Sequence, residues 1–76
     1  MNEKLLRLLS DTLGIAACSI HEDTAMAGTP AWDSVAHLNL CLAVEVEFGV
    51  SLSPEEMIGM TSVAAILAVL HKHRAI

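Results

Sequence analysis

Residues 32–50 read WDSVAHLNLCLAVEVEFGV, and the fold turns on how this stretch closes a polar loop and opens a helix. Asp33 has the chemistry of an N-cap, a short carboxylate that accepts a free backbone N–H one turn on. Gly49 stands where a left-handed residue ends a helix, and Val50 where the accompanying apolar contact falls. The spacing predicts a helix from Ser34 to Phe48. Two apolar stripes run along it. One is Leu40, Val44 and Phe48, flanked by His37 and Cys41; the other is Val35, Leu38, Leu42 and Val46. One core seldom claims both sides of a helix, so one stripe is expected to be exposed. The rival reading is a central helix wrapped by its neighbours.

Toward the N-terminus, Leu5, Leu6, Leu8, Leu9 and Leu13 mark one face of a helix over Glu3–Leu13, with Gly14 placed to end it. Residues 15–32 show no periodicity and contain Gly28 and Pro30, which reads as a long loop with a short turn in it. Ile15, Ile20 and Met26 are its candidate apolar anchors. Toward the C-terminus, Ser53-Pro54-Glu55-Glu56 is a capping box with Pro at the first helical position, and Gly59 cuts that helix short. Thr61 is the expected cap of a last helix running from Ser62 to about His73, whose final turn gathers His71, Lys72, His73 and Arg74. The expected fold is an all-α four-helix bundle, with three longer helices, a short third one and a long first loop. It is a single domain over residues 1–76.

Composition narrows the class. Of the 76 residues, 54 % are hydrophobic, yet there is one Phe, one Trp and no Tyr, so the core is aliphatic. That much apolar sequence in so short a chain predicts surplus on the surface, as a docking face or a cleft. The net charge is −5, and no Lys or Arg occurs between residues 8 and 71. The middle holds Asp11, Glu22, Asp23, Asp33, Glu45, Glu47, Glu55 and Glu56. Such a surface disfavours nucleic acid and attracts cationic partner surfaces, unless it is only a solvated acidic exterior. The longest apolar run, Val63–Leu70, is too short to span a bilayer, and Met1–Ser10 is not expected to act as a signal peptide. A monomeric cytoplasmic protein with reduced thiols is expected.

Ser34 falls in the first turn of the central helix, with its hydroxyl at the positive end of the helix dipole. A phosphodiester there meets unpaired N–H groups, although Asp-Ser at a helix start is also ordinary capping chemistry. Cys18, His21, His71 and His73 match no zinc spacing. Cys41 reads as a small buried or half-buried hydrophobe rather than a nucleophile, and Trp32 is expected to be partly exposed.

Asp33-Ser34-Val35 resembles the Asp-Ser-Leu attachment motif of the acyl carrier protein family. The run Leu38, Leu40, Val44-Glu45-Val46-Glu47-Phe48-Gly49-Val50 is similar to that family's second helix. Ser53-Pro54-Glu55-Glu56 and Met60-Thr61-Ser62-Val63 resemble its short third helix and the start of its fourth, and Glu22-Asp23-Thr24 its acidic turn. The resemblance implies that Ser34 receives 4′-phosphopantetheine from coenzyme A through a phosphopantetheinyl transferase, with Asp33 assisting recognition. The arm would carry acyl groups as thioesters, and the domain would perform no chemistry of its own. Partners would be the transferase and loading or transferring enzymes with basic patches. These would dock on Val35, Leu38, Leu42 and Val46, with Glu45 and Glu47 as the charge candidates.

The departures from the family pattern matter too. Val35 stands for the usual Leu, while Asn39 and Val46 occupy positions often acidic in fatty-acid carriers, so docking should be more apolar here. Trp32 before the motif suits a stand-alone carrier of a specialised pathway. The absence of a Gly-Gly pair before the serine disfavours an aminoacyl or peptidyl carrier, which shares the same arm. The reading from another class is a small helical adaptor with no prosthetic group.

Overall fold

The computed structural model describes residues 1–76. Its elements are α1 (Glu3–Leu13), α2 (Ser34–Phe48), α3 (Pro54–Gly59) and α4 (Val63–Lys72), with two single 3-10 turns in the first loop at Ala17–Ser19 and Met26–Gly28. No strand forms beyond one isolated bridge, and no helix is long and apolar enough to cross a membrane. The all-α four-helix plan expected from periodicity is the plan observed.

Each helix begins and ends for a local reason. Asn2 Oδ1 accepts the Leu5 N–H at 3.0 Å to start α1, and Gly14 ends it at φ 68°. Gly49 closes α2 at φ 64°, where a side chain would be strained, and Val50 N–H returns to the Glu45 carbonyl at 3.2 Å. At α3 the capping box is complete: Ser53 Oγ accepts the Glu56 N–H and the Glu56 carboxylate accepts the Ser53 N–H.

The start of α4 differs from expectation. Ser62, not Thr61, is its cap, accepting the Ala65 N–H through Oγ at 3.1 Å. Thr61 instead gives its carbonyl to the Met26 N–H at 2.8 Å, so it serves the first loop. The loop reciprocates: the carbonyls of Thr24 and Glu22 accept the N–H groups of Val63 and Ala64 at 2.9 and 3.0 Å. The otherwise orphaned donors of α4 are thereby satisfied by the acidic turn. Pattern alone does not choose correctly between two adjacent hydroxyl residues, because the loop that engages Thr61 and the first N–H groups of α4 comes from a distant part of the chain.

The core joins Leu5, Leu9 and Leu13 of α1, Leu40 and Val44 of α2, and Val63, Ile66 and Leu70 of α4. Fully burying each such side chain stabilises the fold by about 1.5–3 kcal/mol. Ile20 is buried and Ile15 and Met26 pack against the cluster, so the three expected anchors do hold the loop. Helix α3 contributes no buried residue, and the segment carrying it is pinned at either side by Leu52 and Met60.

Candidate functional site

Ser34 is the first residue of α2 and is exposed. The chain reaches it through a turn over Thr29–Trp32, closed by the Trp32 N–H to the Thr29 carbonyl at 2.9 Å, with Pro30 at the position that favours such a turn. Asp33 then caps the helix: its Oδ1 accepts the Ala36 N–H at 2.8 Å, and its carbonyl accepts the His37 N–H at 2.8 Å. That leaves the N–H groups of Ser34 and Val35 with no partner in the chain. An exposed hydroxyl beside two free donors at the positive end of a 15-residue helix suits a phosphate ester.

Trp32 corrects the expectation of partial exposure. It is only 1 % exposed, the largest fully buried side chain, and its Nε1–H donates to His37 Nδ1 at 3.0 Å. The reason is the polar end of the indole: a partner five residues on lets the whole ring enter the core without leaving a donor unmet. The serine is therefore displayed from a turn whose previous residue but one is nailed into the interior.

The two stripes of α2 separate as the amphipathic argument requires. Leu40, Cys41 and Val44 are buried, and Phe48 is half-buried beneath the Lys4 ammonium, 5.0 Å from its ring centroid. On the other side Val35, Leu38, Leu42 and Val46 are 70, 58, 51 and 83 % exposed. Ile58 on α3 adds another exposed aliphatic side chain. The alternative of a wrapped central helix does not hold.

The acids named for docking sit differently from one another. Glu47 is exposed and in no ion pair, and it lines an open groove of about 580 Å³ between α1 and α2 with Lys4 and Arg7. Glu45 is half-buried, and its Oε2 accepts the Leu52 N–H at 2.8 Å. Glu56 is engaged with Lys72 Nζ at 3.3 Å and His73 Nε2 at 2.9 Å. His73, expected to be no more than a terminal-turn cation, thus ties α4 to α3.

One juxtaposition was not visible in the sequence. Cys41 Sγ lies 3.7 Å from His37 Nε2, one helical turn away. The pair resembles a thiol and its base but cannot act as one. The Met57 carbonyl, 2.7 Å from the same nitrogen, requires Nε2 to carry the proton. Burial, followed by the nearby Glu45 charge, pushes the Cys41 thiol above its usual range, away from the reactive thiolate. Cys18 is an exposed free thiol, and no group of three or more His, Cys, Asp or Glu side chains is placed to hold a metal ion.

A search of curated proteins returned no match to the chain. The family model described as the phosphopantetheine attachment site matches residues 3–70, from α1 almost to the end of α4, and the chain belongs to that family, whose domain is the attachment site for a 4′-phosphopantetheine prosthetic group.

Proposed function

We propose that Ser34 is the attachment residue and that the domain carries acyl groups between enzymes that bind it in turn. The observation that carries this reading is the exposed Ser34 hydroxyl at the start of α2, next to two unbonded N–H groups, in a chain of the phosphopantetheine attachment family. The arm, once joined by a phosphopantetheinyl transferase using coenzyme A, supplies a terminal thiol that holds the acyl group as a thioester. Everything else comes from the chain. Asp33 holds the first turn of α2 in shape and keeps a carboxylate beside the serine for the transferase to recognise. Ser34 and Val35 offer their N–H groups to the phosphate.

The exposed stripe of Val35, Leu38, Leu42 and Val46 leads away from the serine along one face of α2, and we assign it to partner docking, with Glu45 and Glu47 as the charges near it. A face on which four aliphatic side chains stand out of the core, with one of those two carboxylates tied to Leu52, supports docking that is mainly apolar. The lack of a Gly-Gly pair before Ser34 favours acyl cargo over the aminoacyl or peptidyl alternative, which shares the arm.

The deciding experiment is intact mass after incubation with coenzyme A and a broad-specificity phosphopantetheinyl transferase, with Ser34→Ala alongside. A gain of one phosphopantetheine that Ser34→Ala lacks is the expected result. A gain retained by the variant, or none in the folded wild type with several transferases, removes Ser34 from the role. Loading the modified protein with acyl and aminoacyl donors then decides the cargo.

A further inference from the structure

Helix α3 has no fully buried residue: Met57 packs only in part against the core, and Leu52 and Met60 pin the flanks, so polar contacts add much of what fixes the helix itself. On the α4 side Glu56 meets Lys72 and His73. On the α2 side there is one contact of this kind, the imidazole of His37, whose Nε2 is 2.7 Å from the Met57 carbonyl. The other nitrogen of that ring, Nδ1, is 3.0 Å from the indole Nε1 of Trp32, with the two rings stacked at a centroid distance of 6.1 Å.

The bonding leaves no freedom in the proton's place. An indole N–H only donates, so Nδ1 accepts; a carbonyl only accepts, so Nε2 donates. A neutral imidazole with its proton on Nε2 is the one form that makes both bonds. A rigid ring thus spans from the residue two before Ser34 to the middle of α3. A flexible amide in its place would have to aim its oxygen and nitrogen in opposite directions from a single carbon.

We propose that His37 is a positioning residue, a two-ended strap that couples the location of α3 to the turn displaying Ser34. Drawing α3 away from α2 breaks the Met57 bond and frees the ring, and the Trp32 indole then loses the acceptor that keeps its N–H satisfied in the core. Conversely, disturbing the turn at Trp32 loosens α3. An enzyme that shifts α3 would in this way alter how the serine is presented, without touching it. Only this last consequence rests on Ser34 as the attachment residue; the strap itself does not.

The first test is nitrogen-15 spectroscopy of the wild-type imidazoles. His37 is expected as a single Nε2–H tautomer with a slowly exchanging ring proton, and an Nδ1–H tautomer or rapid averaging between the two overturns the strap. The second reads each end from the other. Trp32→Phe keeps an aromatic ring but removes the N–H, and should speed amide exchange in residues 57–60 by about three- to tenfold relative to α1, the weight of one net hydrogen bond. Glu56→Gln weakens α3 at its own cap and on its α4 side, neither of which touches His37, yet should speed exchange of the Trp32 indole proton by a similar factor. Exchange unchanged at the far end in both variants overturns the coupling even if either variant is less stable. Neither readout requires modification of the protein. A strap that passes in a chain that gains no mass would sink the Ser34 reading alone, and a strap that fails in a chain that gains mass would leave that reading standing.

Discussion

Glu45 Oε2 accepts the backbone N–H of Leu52 at 2.8 Å, across the link between α2 and α3. Leu52 is buried, so its N–H would have no water to turn to if the carboxylate were removed. Glu45→Ala should therefore destabilise the fold by about 1.5–3 kcal/mol, as expected for a hydrogen bond to a charged group. Glu47→Ala, on an exposed residue with no such bond, should stay within about 0.5 kcal/mol of wild type. Denaturant unfolding of the two variants checks this, and equal midpoints would show that the Glu45 bond carries no weight.

The apolar face of α2 makes a kinetic prediction about the transferase. Leu38→Ala and Val46→Ala remove side chains that are 58 and 83 % exposed, so the fold should tolerate both. If this face docks, each should raise KM for modification by about three- to tenfold, from the loss of roughly a kcal/mol of apolar contact. Raising salt should change that ratio little, because the lost contact is uncharged. Charge reversal at Glu47 should do the opposite, slowing modification at low salt and mattering less at high salt. KM values indistinguishable from wild type in both alanine variants would move docking to another face.

Acid should loosen α3 first. Glu56 is held down to about 2 from an ordinary 4.5, chiefly by the Ser53 backbone N–H it accepts, then by His73 and Lys72. A carboxyl depressed in the folded state contributes fully above its unfolded value, and that contribution is lost as pH falls toward the folded one. The loss should begin below about 4.5 and be complete near 2. Glu56→Gln should flatten the stability profile across that window and leave the shape above it unchanged. Parallel profiles for the two proteins would show that the carboxylate does not set acid sensitivity.

How much of this was legible beforehand follows from the range over which each interaction acts. Helix limits at Gly14, Gly49 and Ser53 rest on contacts within four or five residues, and sequence displays those directly. Spacing drew the two stripes of α2 but left a helix wrapped on both sides as a rival. Which stripe faces inward is settled by Leu5, Leu9 and Ile66, distant in the chain. The burial of Trp32, the use of Thr61 for the first loop, and the tie of Glu45 to Leu52 escaped because each depends on a partner set by tertiary packing. Ser34 was legible as a helix-start hydroxyl; its two free N–H neighbours became definite only when the turn before it was seen to offer them no acceptor.

Asp33 should matter to stability as well as to recognition. Its Oδ1 meets the Ala36 N–H at 2.8 Å, and no other side chain supplies that acceptor. Asp33→Ala should cost about 1 kcal/mol and Asp33→Asn considerably less, because Asn caps almost as well. Modification should separate the two roles. If the transferase reads the charge, Asp33→Asn will be well folded yet slow to modify; modification at the wild-type rate would reduce Asp33 to a cap.

The C-terminus of α4 carries a correctable strain. Arg74 has φ 56°, the one residue other than glycine in the left-handed region. It is there because the chain closes α4 with two bonds, Arg74 N–H to the His71 carbonyl at 3.0 Å and Ala75 N–H to the Leu70 carbonyl at 2.9 Å. That pattern needs a left-handed residue between them, and glycine fills the place without strain. A side chain with Cβ costs about 1–2 kcal/mol in this conformation. Against this, Arg74→Gly gives up a cation at a helix C-terminus, worth about 0.3–1 kcal/mol at low salt, and adds freedom to the unfolded chain. Once salt screens the charge, the backbone strain outweighs what the cation contributes. Arg74→Gly should then raise the thermal midpoint by a few degrees, at about 4–8 °C per kcal/mol for a domain of this size. Arg74→Val, branched at Cβ, should lower it. A midpoint that falls in both variants at moderate salt would mean that the arginine side chain contributes more than its backbone costs.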